Sequence, residues 1–476
     1  MRPIPIAFLL LLAAVAEAAF WGGRIASGLP PFYSSSIAAY GGQAYVFYTA
    51  LGSNGTAIAG IALLGPSYGQ ILGPPQSPSS SPYLFATRGA LAMLWTYSSS
   101  PGAALLYMST LGPAGWGRPT ALTKSGVVLS YASDGELIYA VWEPYYDPTY
   151  STARLLVIAP NGTLLRSAAL PGLVALNGAW RGEAVGVFSN GTYAVLAANG
   201  TVERLEASYA GASDVGLYVF SNGVLRYGGR SLPAPWASAA APASGCGGAA
   251  ALAWSSSGRL AVYLIRGEAV QLRSLEVPGL AVARGVCAGD YLYVEAESVE
   301  DHGKSIWAFV VPISPVKPAV GVKALDGTAS VSWDVPYLQE YNVTAVYLAV
   351  YLDGKPLEVM EVAPSGALNY TLRGPGNYTF AVTAAGPLGN ATATAYLLYN
   401  ATAAQTATGA PTTTATSTQS TTSAVPTPTS TSTARPASAG TGHGLLYVAI
   451  AIAAASAAVA FAVARRGRRR PGRGRR

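Results

Sequence analysis

The chain has 476 residues, only 11% of them charged, and a formal net charge of +7. Eight arginines (Arg465, Arg466, Arg468, Arg469, Arg470, Arg473, Arg475 and Arg476) crowd the last dozen residues, and without them the remainder stands at −1. The basicity is therefore terminal and does not form a folded basic face, which excludes a nucleic-acid-binding surface on the body.

In chain order, Met1 and Arg2 precede an apolar run over residues 6–15 and then the small-x-small stretch Ala16-Glu17-Ala18. Residues 1–18 read as a secretory signal peptide, because the run is too short to span a bilayer.

From about residue 38 to 312 the pattern is short alternating apolar runs broken by Gly, Asn-Gly and Asp-Gly, the signature of strands and tight turns. One module recurs: a glycine, then an alternating run that tends to end in an aromatic. It begins at Gly42, Gly89, Gly135, Gly182, Val215, Gly248 and Gly289, as in Gly89-Ala-Leu-Ala-Met-Leu-Trp. The mean spacing is about 41 residues, the four-strand period of a propeller blade. Residues 19–312 are thus expected to form a seven-bladed β-propeller, with segment 20–34 supplying the last strand and closing the ring. A string of small sandwiches is the alternative.

Cys246 and Cys287 each stand two residues before the glycine of their module, the same place in consecutive repeats. Outside the cell they are expected to form one disulfide, in preference to two free buried thiols. With only His302 and His443 besides them, a four-ligand zinc site of the usual kind is not available.

Residues 313–318 form a stiff proline linker. Next come Ala329-Ser-Val-Ser-Trp333-Asp-Val-Pro336 and Leu372-Arg-Gly-Pro-Gly-Asn-Tyr378-Thr-Phe380-Ala-Val382. Residues 316–400 resemble a fibronectin type III domain, an Ig-like β-sandwich. The resemblance implies that Trp333 belongs to the core on the second strand and that Tyr378 closes a tyrosine corner on the sixth.

Residues 403–443 collapse to Thr, Ser, Ala and Pro and are expected to be a disordered stalk. Residues 444–464 carry no charge and match the roughly 30 Å apolar thickness of a bilayer. Followed at once by arginine, that helix is expected to cross the plasma membrane once, with the N-terminus outside and residues 465–476 in the cytoplasm. The scarcity of Lys, Met, Cys and His fits an archaeal-type surface protein from a GC-rich genome.

Asn-x-Ser/Thr sequons begin at Asn54, Asn161, Asn190, Asn199, Asn342, Asn369, Asn377, Asn390 and Asn400. Asn-Gly turns account for the first four, whereas the five from Asn342 on are stronger candidates for glycan.

In the second repeat, Ser109 and Trp116 have the spacing of the aspartate box of sialidase-like propellers, with Leu111 and Pro113 at its Asp and Gly positions. Arg24-Ile25 is similar to the arginine motif that opens such enzymes, with Ala26 in place of proline. The resemblance implies the propeller, and its departures weaken the case for activity.

A glycosidase needs two carboxylates across one bond. No Asp or Glu occurs between Ala18 and Asp134, so a pair must come from the third repeat onward. Glu143 and Asp147 are the catalytic candidates, set among Trp142, Tyr145, Tyr146 and Tyr150, whose aromatic faces suit a sugar or a cation. A loop folding its tyrosines onto its own blade is the competing explanation. Glu295, Glu297 and Asp301 are candidate oxygen ligands for Ca²⁺, against a solvated acidic loop.

The chain is therefore expected to be a membrane-anchored extracellular binding or adhesion protein whose propeller meets a glycan, a peptide or a neighbouring surface-layer protein, and to need no cofactor. The rivals are a sialidase-like exo-glycoside hydrolase and a structural component of the cell envelope.

Overall fold

The computed structural model describes residues 22–400 apart from 30–34, 52–56, 65–68, 73–79, 88, 101–102, 113–114, 301–302 and 326. The expected signal peptide, stalk, membrane helix and basic tail, and the candidates Asn54 and Asp301, lie outside the described residues. Among the described residues every regular element is a strand, and no helix is long and apolar enough to cross a membrane. The chain divides between Val311 and Pro312 into two units.

The strands of the first unit lie in five separate four-stranded sheets and one nine-stranded sheet. A single parallel bridge, Val127 to Ala104, joins the two halves of the nine-stranded sheet. Within each half the strands meander antiparallel, as they do in the other sheets. The glycine-led module is the second strand of every group, among them Gln43–Leu51, Ile138–Glu143, Ala250–Trp254 and Tyr291–Glu300. Its glycine makes the hairpin turn before that strand. Gly42 at φ 77° and Gly182 at φ 84° occupy left-handed backbone that a Cβ would disfavour.

The first strands of the groups, which include Ser36–Tyr40, Val127–Ser133, Tyr209–Ser213, Ala239–Pro242 and Leu280–Ala288, converge on an axis. Consecutive groups pack near these strands, and the last returns to the first. Alanine and serine fill the convergent strands, whereas larger side chains make the layers between sheets. Phe47, Leu91, Met93 and Trp95 form one such layer, and Tyr139, Val141, Leu155 and Val185 another.

Closure uses both ends of the unit. Gly22–Leu29 pairs antiparallel with Gly303–Pro312, Gly22 opposite Phe309 and Leu29 opposite Lys304. Leu29 is buried with Ile37, Val46, Val286, Tyr293 and Ile306, a contribution of about 2 kcal/mol for that leucine alone. One junction upstream, Cys246 and Cys287 form a disulfide with their Cα atoms 5.1 Å apart. Beside it Ser244 N donates to Gly285 O at 2.8 Å and Cys287 N to Ser244 O at 2.7 Å. The unit is a β-propeller.

The second unit is a two-sheet sandwich. Ala319–Leu325, Thr328–Asp334 and Ser365–Thr371 form one sheet; Lys355–Glu361, Ala345–Leu352, Gly376–Gly386 and Gly389–Tyr399 form the other in that order. Trp333, Leu348, Val350 and Phe380 fill its core. The Tyr378 hydroxyl accepts from Arg373 N at 2.8 Å and Gly374 N at 3.1 Å and donates to Gly374 O at 2.9 Å, which pins the turn before its strand.

Candidate functional site in the central cavity

The convergent strands enclose a cavity of about 1710 Å³ along the axis. Its walls are mainly small and apolar, with an aromatic group formed by Tyr193, Tyr209, Tyr218 and Trp254. Tyr209 and Trp254 meet edge to face at 5.4 Å.

Arg284 enters the cavity from the middle of Leu280–Ala288, where Val282-Ala-Arg-Gly-Val286 breaks an apolar run. Behind it, on the paired strand, stand Glu295 directly opposite and Glu297. Arg284 Nη1 donates to Glu295 Oε2 at 2.9 Å and to Glu297 Oε1 at 3.1 Å. Lys304 Nζ, 5% exposed, donates to Glu297 Oε2 at 2.9 Å. Ser35 N donates to Glu297 Oε1 at 3.1 Å, and the Ser35 hydroxyl donates to Glu295.

Both carboxylates are buried, yet the Arg284 side chain remains 42% exposed because it faces the cavity. Burial opposes the charge on Glu297, but Lys304 and then Arg284 more than offset it and hold the carboxyl down at about 2. Burial wins at Glu295 and raises its pKa, against the pull of Arg284. Burial likewise raises the phenols of Tyr83, Tyr209 and Tyr218, which lie close enough to Arg284 for its charge to lower them in part. The arrangement is a guanidinium anchored from behind, with an open side toward a large aromatic-walled space.

At the hairpin turns after the first strands, two aspartates latch neighbouring sheets. Asp134 Oδ2 accepts from Gly182 N at 2.8 Å, and Asp214 Oδ2 from Gly245 N at 2.7 Å.

Glu143 and Asp147 do not line this cavity. Glu143 is fully buried at the end of its strand; burial raises its pKa, and its Oε2 accepts from Asp147 N at 3.1 Å. Asp147 accepts from the hydroxyls and backbone N–H groups of Ser151 and Thr149, which hold its carboxyl well below the usual range. Both carboxylates thus bond within their own loop, and Glu143 Oε1 is buried without a hydrogen-bond partner among the described residues. Tyr150 is buried in the core and Tyr146 packs against the same cluster, whereas Tyr145 is 61% exposed. Trp142 donates from Nε1 to Ser125 O at 2.7 Å and borders a shallow groove with Arg154.

Glu295 and Glu297 meet cations, but these are Arg284 and Lys304. The guanidinium and the ammonium already take up the carboxylate oxygens, so this donor set does not suit Ca²⁺. Among the described residues no group of three or more His, Cys, Asp or Glu could hold a metal.

Arg24 lies outside the cavity, stacked 4.7 Å from the Trp307 ring and paired with Glu300 at 3.2 Å. Ser109 and Trp116 flank the hairpin between Ala103–Gly112 and Gly115–Trp116, where the Ser109 hydroxyl donates to Gly117 O at 2.8 Å. Asn161, Asn190 and Asn199 each accept from the backbone N–H of their own threonine two residues on, at 2.9–3.0 Å.

Arg284, Lys304 and Ser35 escaped sequence reasoning. The signal was present in Tyr293-Val-Glu-Ala-Glu297, where two acids in a buried strand require cationic partners close by.

Similarity of fold was found with sialidase-like propellers at low identity. No family model matches the sequence, and no curated protein matches it. A mutant Trypanosoma rangeli sialidase displaying trans-sialidase activity aligns at 11% identity and a TM-score of 0.36, over 80% of this chain and 89% of that one. Puromycin hydrolase aligns at 13% identity and a TM-score of 0.40, over 68% of this chain and 60% of that one. PorZ, a surface component of the type-IX secretion system of Porphyromonas gingivalis, aligns at 10% identity and a TM-score of 0.30, over 79% and 60%. At these scores the likeness does not extend to activity.

Proposed function

We propose that this is a membrane-anchored extracellular binding protein whose central cavity takes a glycan or peptide bearing an acidic group. In this reading residues 1–18 direct export and residues 19–312 form a seven-bladed propeller, the nine-stranded sheet counting as two blades. Residues 316–400 form a fibronectin type III-like domain; the three-plus-four strand order and the Tyr378 hydroxyl bonds support that assignment. Residues 403–443 are the stalk, 444–464 the single plasma-membrane helix and 465–476 the cytoplasmic clip.

One observation carries the binding role: Arg284 is held by two carboxylates and still offers its guanidinium to the cavity. A preorganised, partly desolvated guanidinium suits a carboxylate or sulfate, and the tyrosine and tryptophan rings suit a sugar or side-chain body. Hydrolysis fits less well. Asp147 is committed to its loop, Glu143 is buried away from the cavity, and Glu295 and Glu297 are committed to Arg284, Lys304 and Ser35.

The test is a panel of acidic and neutral oligosaccharides and peptides on the detergent-solubilised chain, with Arg284→Lys alongside. Acidic ligands are expected to bind, and R284K to weaken them tenfold or more while neutral ones do not change. Binding indifferent to acidic groups or to R284K defeats the proposal. Turnover of chromogenic glycosides, lost on changing a carboxylate, would point instead to the hydrolase.

A further inference from the structure

The outer face of the four-stranded sheet in the second unit is built differently from the rest of the surface. Its strands Ala345–Leu352, Gly376–Gly386 and Gly389–Tyr399 contain no charged residue. Along the last of them and the residue after it, Asn390, Thr392, Thr394, Tyr396, Leu398 and Asn400 alternate outward. Tyr396 is 73% exposed and Leu398 64%. On the neighbouring strand Asn377 stands opposite Leu398, and Thr379 opposite Tyr396. The face continues through Tyr351, opposite Thr379, to the exposed Val359 on the edge strand. Apart from Glu361 at the edge strand, opposite Tyr347, the face carries no charge, and a face of this kind with large side chains in solvent invites association unless something covers it.

Three acceptor tripeptides place their asparagines on this face: Asn377-Tyr-Thr379, Asn390-Ala-Thr392 and Asn400-Ala-Thr402. Asn390 near the start of the last strand and Asn400 just after its end are ten residues apart, a span of about 33 Å, so both ends of the face are marked, and Asn377, opposite Leu398, joins Asn400 at the second end. Asn369 projects from the other sheet and Asn342 sits in a turn at φ 51°.

We propose that Asn377, Asn390 and Asn400 carry N-linked oligosaccharides, and that these cover the Tyr396–Leu398 face of the sandwich. The proposal rests on the reading that this part of the chain lies outside the cell. The co-reactant is a polyprenyl-phosphate-linked oligosaccharide. A bond forms between its anomeric carbon and the asparagine Nδ2, and the bond from that carbon to the phosphate oxygen breaks. The phosphate leaves with the electron pair, and the amide proton goes to a base. Sugar C–H groups then lie on tyrosine rings and sugar hydroxyls on the threonines. A second copy of the chain would need the face bare, yet Asn390 stands at one end of it and Asn377 and Asn400 at the other, beside Leu398.

The full chain, purified from the membranes of the cells that make it, is digested and its glycopeptides are weighed. At least two of the three peptides are expected to carry an oligosaccharide mass. The triple variant N377Q/N390Q/N400Q should lose those masses and self-associate in light scattering. Two or more bare asparagines overturn the proposal, and glycans whose removal leaves association unchanged overturn the covering role. Protease on intact cells separates the readings: bare asparagines in a chain that is shaved off defeat this inference alone, and a chain that resists shaving defeats the topology.

Discussion

Replacing Lys304 with methionine keeps most of the stem and removes one charge from a buried pair. Lys304 is 5% exposed and Glu297 4%, and their charged atoms are 2.9 Å apart. At an effective dielectric of about 20 that separation corresponds to roughly 6 kcal/mol of gross attraction. Part of it is returned, because methionine no longer has to be stripped of water. Breaking a buried pair by removing one partner typically costs about 3–5 kcal/mol, since the other charge stays behind. Glu297 keeps Arg284 at 3.1 Å and Ser35 N at 3.1 Å, which places the expected loss near the lower end, about 3 kcal/mol. For a unit of this size that lowers Tm by roughly 5 °C. The double variant K304M/E297Q has no stranded charge, and its glutamine oxygen still accepts from Arg284 and Ser35. It should recover more than half of the loss. Scanning calorimetry of the four proteins of the cycle, in detergent, measures both quantities. A K304M loss under 1 kcal/mol, or a double variant no more stable than K304M, refutes the claim that this pair fastens the closing seam.

The remaining expectations concern other fastenings. Cys246 and Cys287 are 41 residues apart in sequence, so loop-closure entropy assigns their disulfide about 4 kcal/mol, and Tm should fall on reduction or in C246S/C287S. Unchanged melting in reductant contradicts this. Glu297 titrates at about 2 when folded, below its ordinary 4.5, so it contributes stability above pH 4.5 that is lost as pH falls toward 2. The slope of Tm against pH in that window should flatten in E297Q, while Glu295, shifted the opposite way, adds none of the loss. Tyr378→Phe removes a hydroxyl that bonds Arg373 N, Gly374 N and Gly374 O, and should cost about 1–3 kcal/mol in urea unfolding of the sandwich transition. An equal midpoint in both proteins would show that water replaces the hydroxyl without loss.

Sequence legibility followed how strongly each position is constrained. The second strands were readable because their Gly-led alternation answers to a turn at positive φ and to a buried face, as at Gly182 and Val185. The first strands were not. Ala239-Ala-Ala-Pro242 and Ser36-Ile-Ala-Ala-Tyr40 are small because strands converge there, and small residues carry little period. Trp333 and Tyr378 stood out because a core indole and a corner hydroxyl demand particular places. The Cys246–Cys287 pair was legible from equivalent placement in adjacent repeats. The site was far less so. Glu143 and Asp147 looked catalytic because carboxylates among aromatics attract that reading, yet Asp147 is taken up by Thr149 and Ser151 of its own loop and Glu143 is buried away from the cavity. Arg284 was hidden because one arginine in a strand says nothing of which way it points, and its partner Ser35 is distant in sequence, 249 positions away.

That the propeller's first strand and its final hairpin share a sheet has a kinetic side. The backbone near Gly22 is made first and finds its partner near Phe309 only when almost the whole unit has been synthesised. Until then the strand waits without the hairpin meant to receive it. A product that lacks either partner therefore leaves the other with an unpaired edge, which a neighbouring chain can join. Cells making this protein should need chaperone help most in that interval, and a tag fused close ahead of Gly22 should slow maturation more than one placed in an outer hairpin.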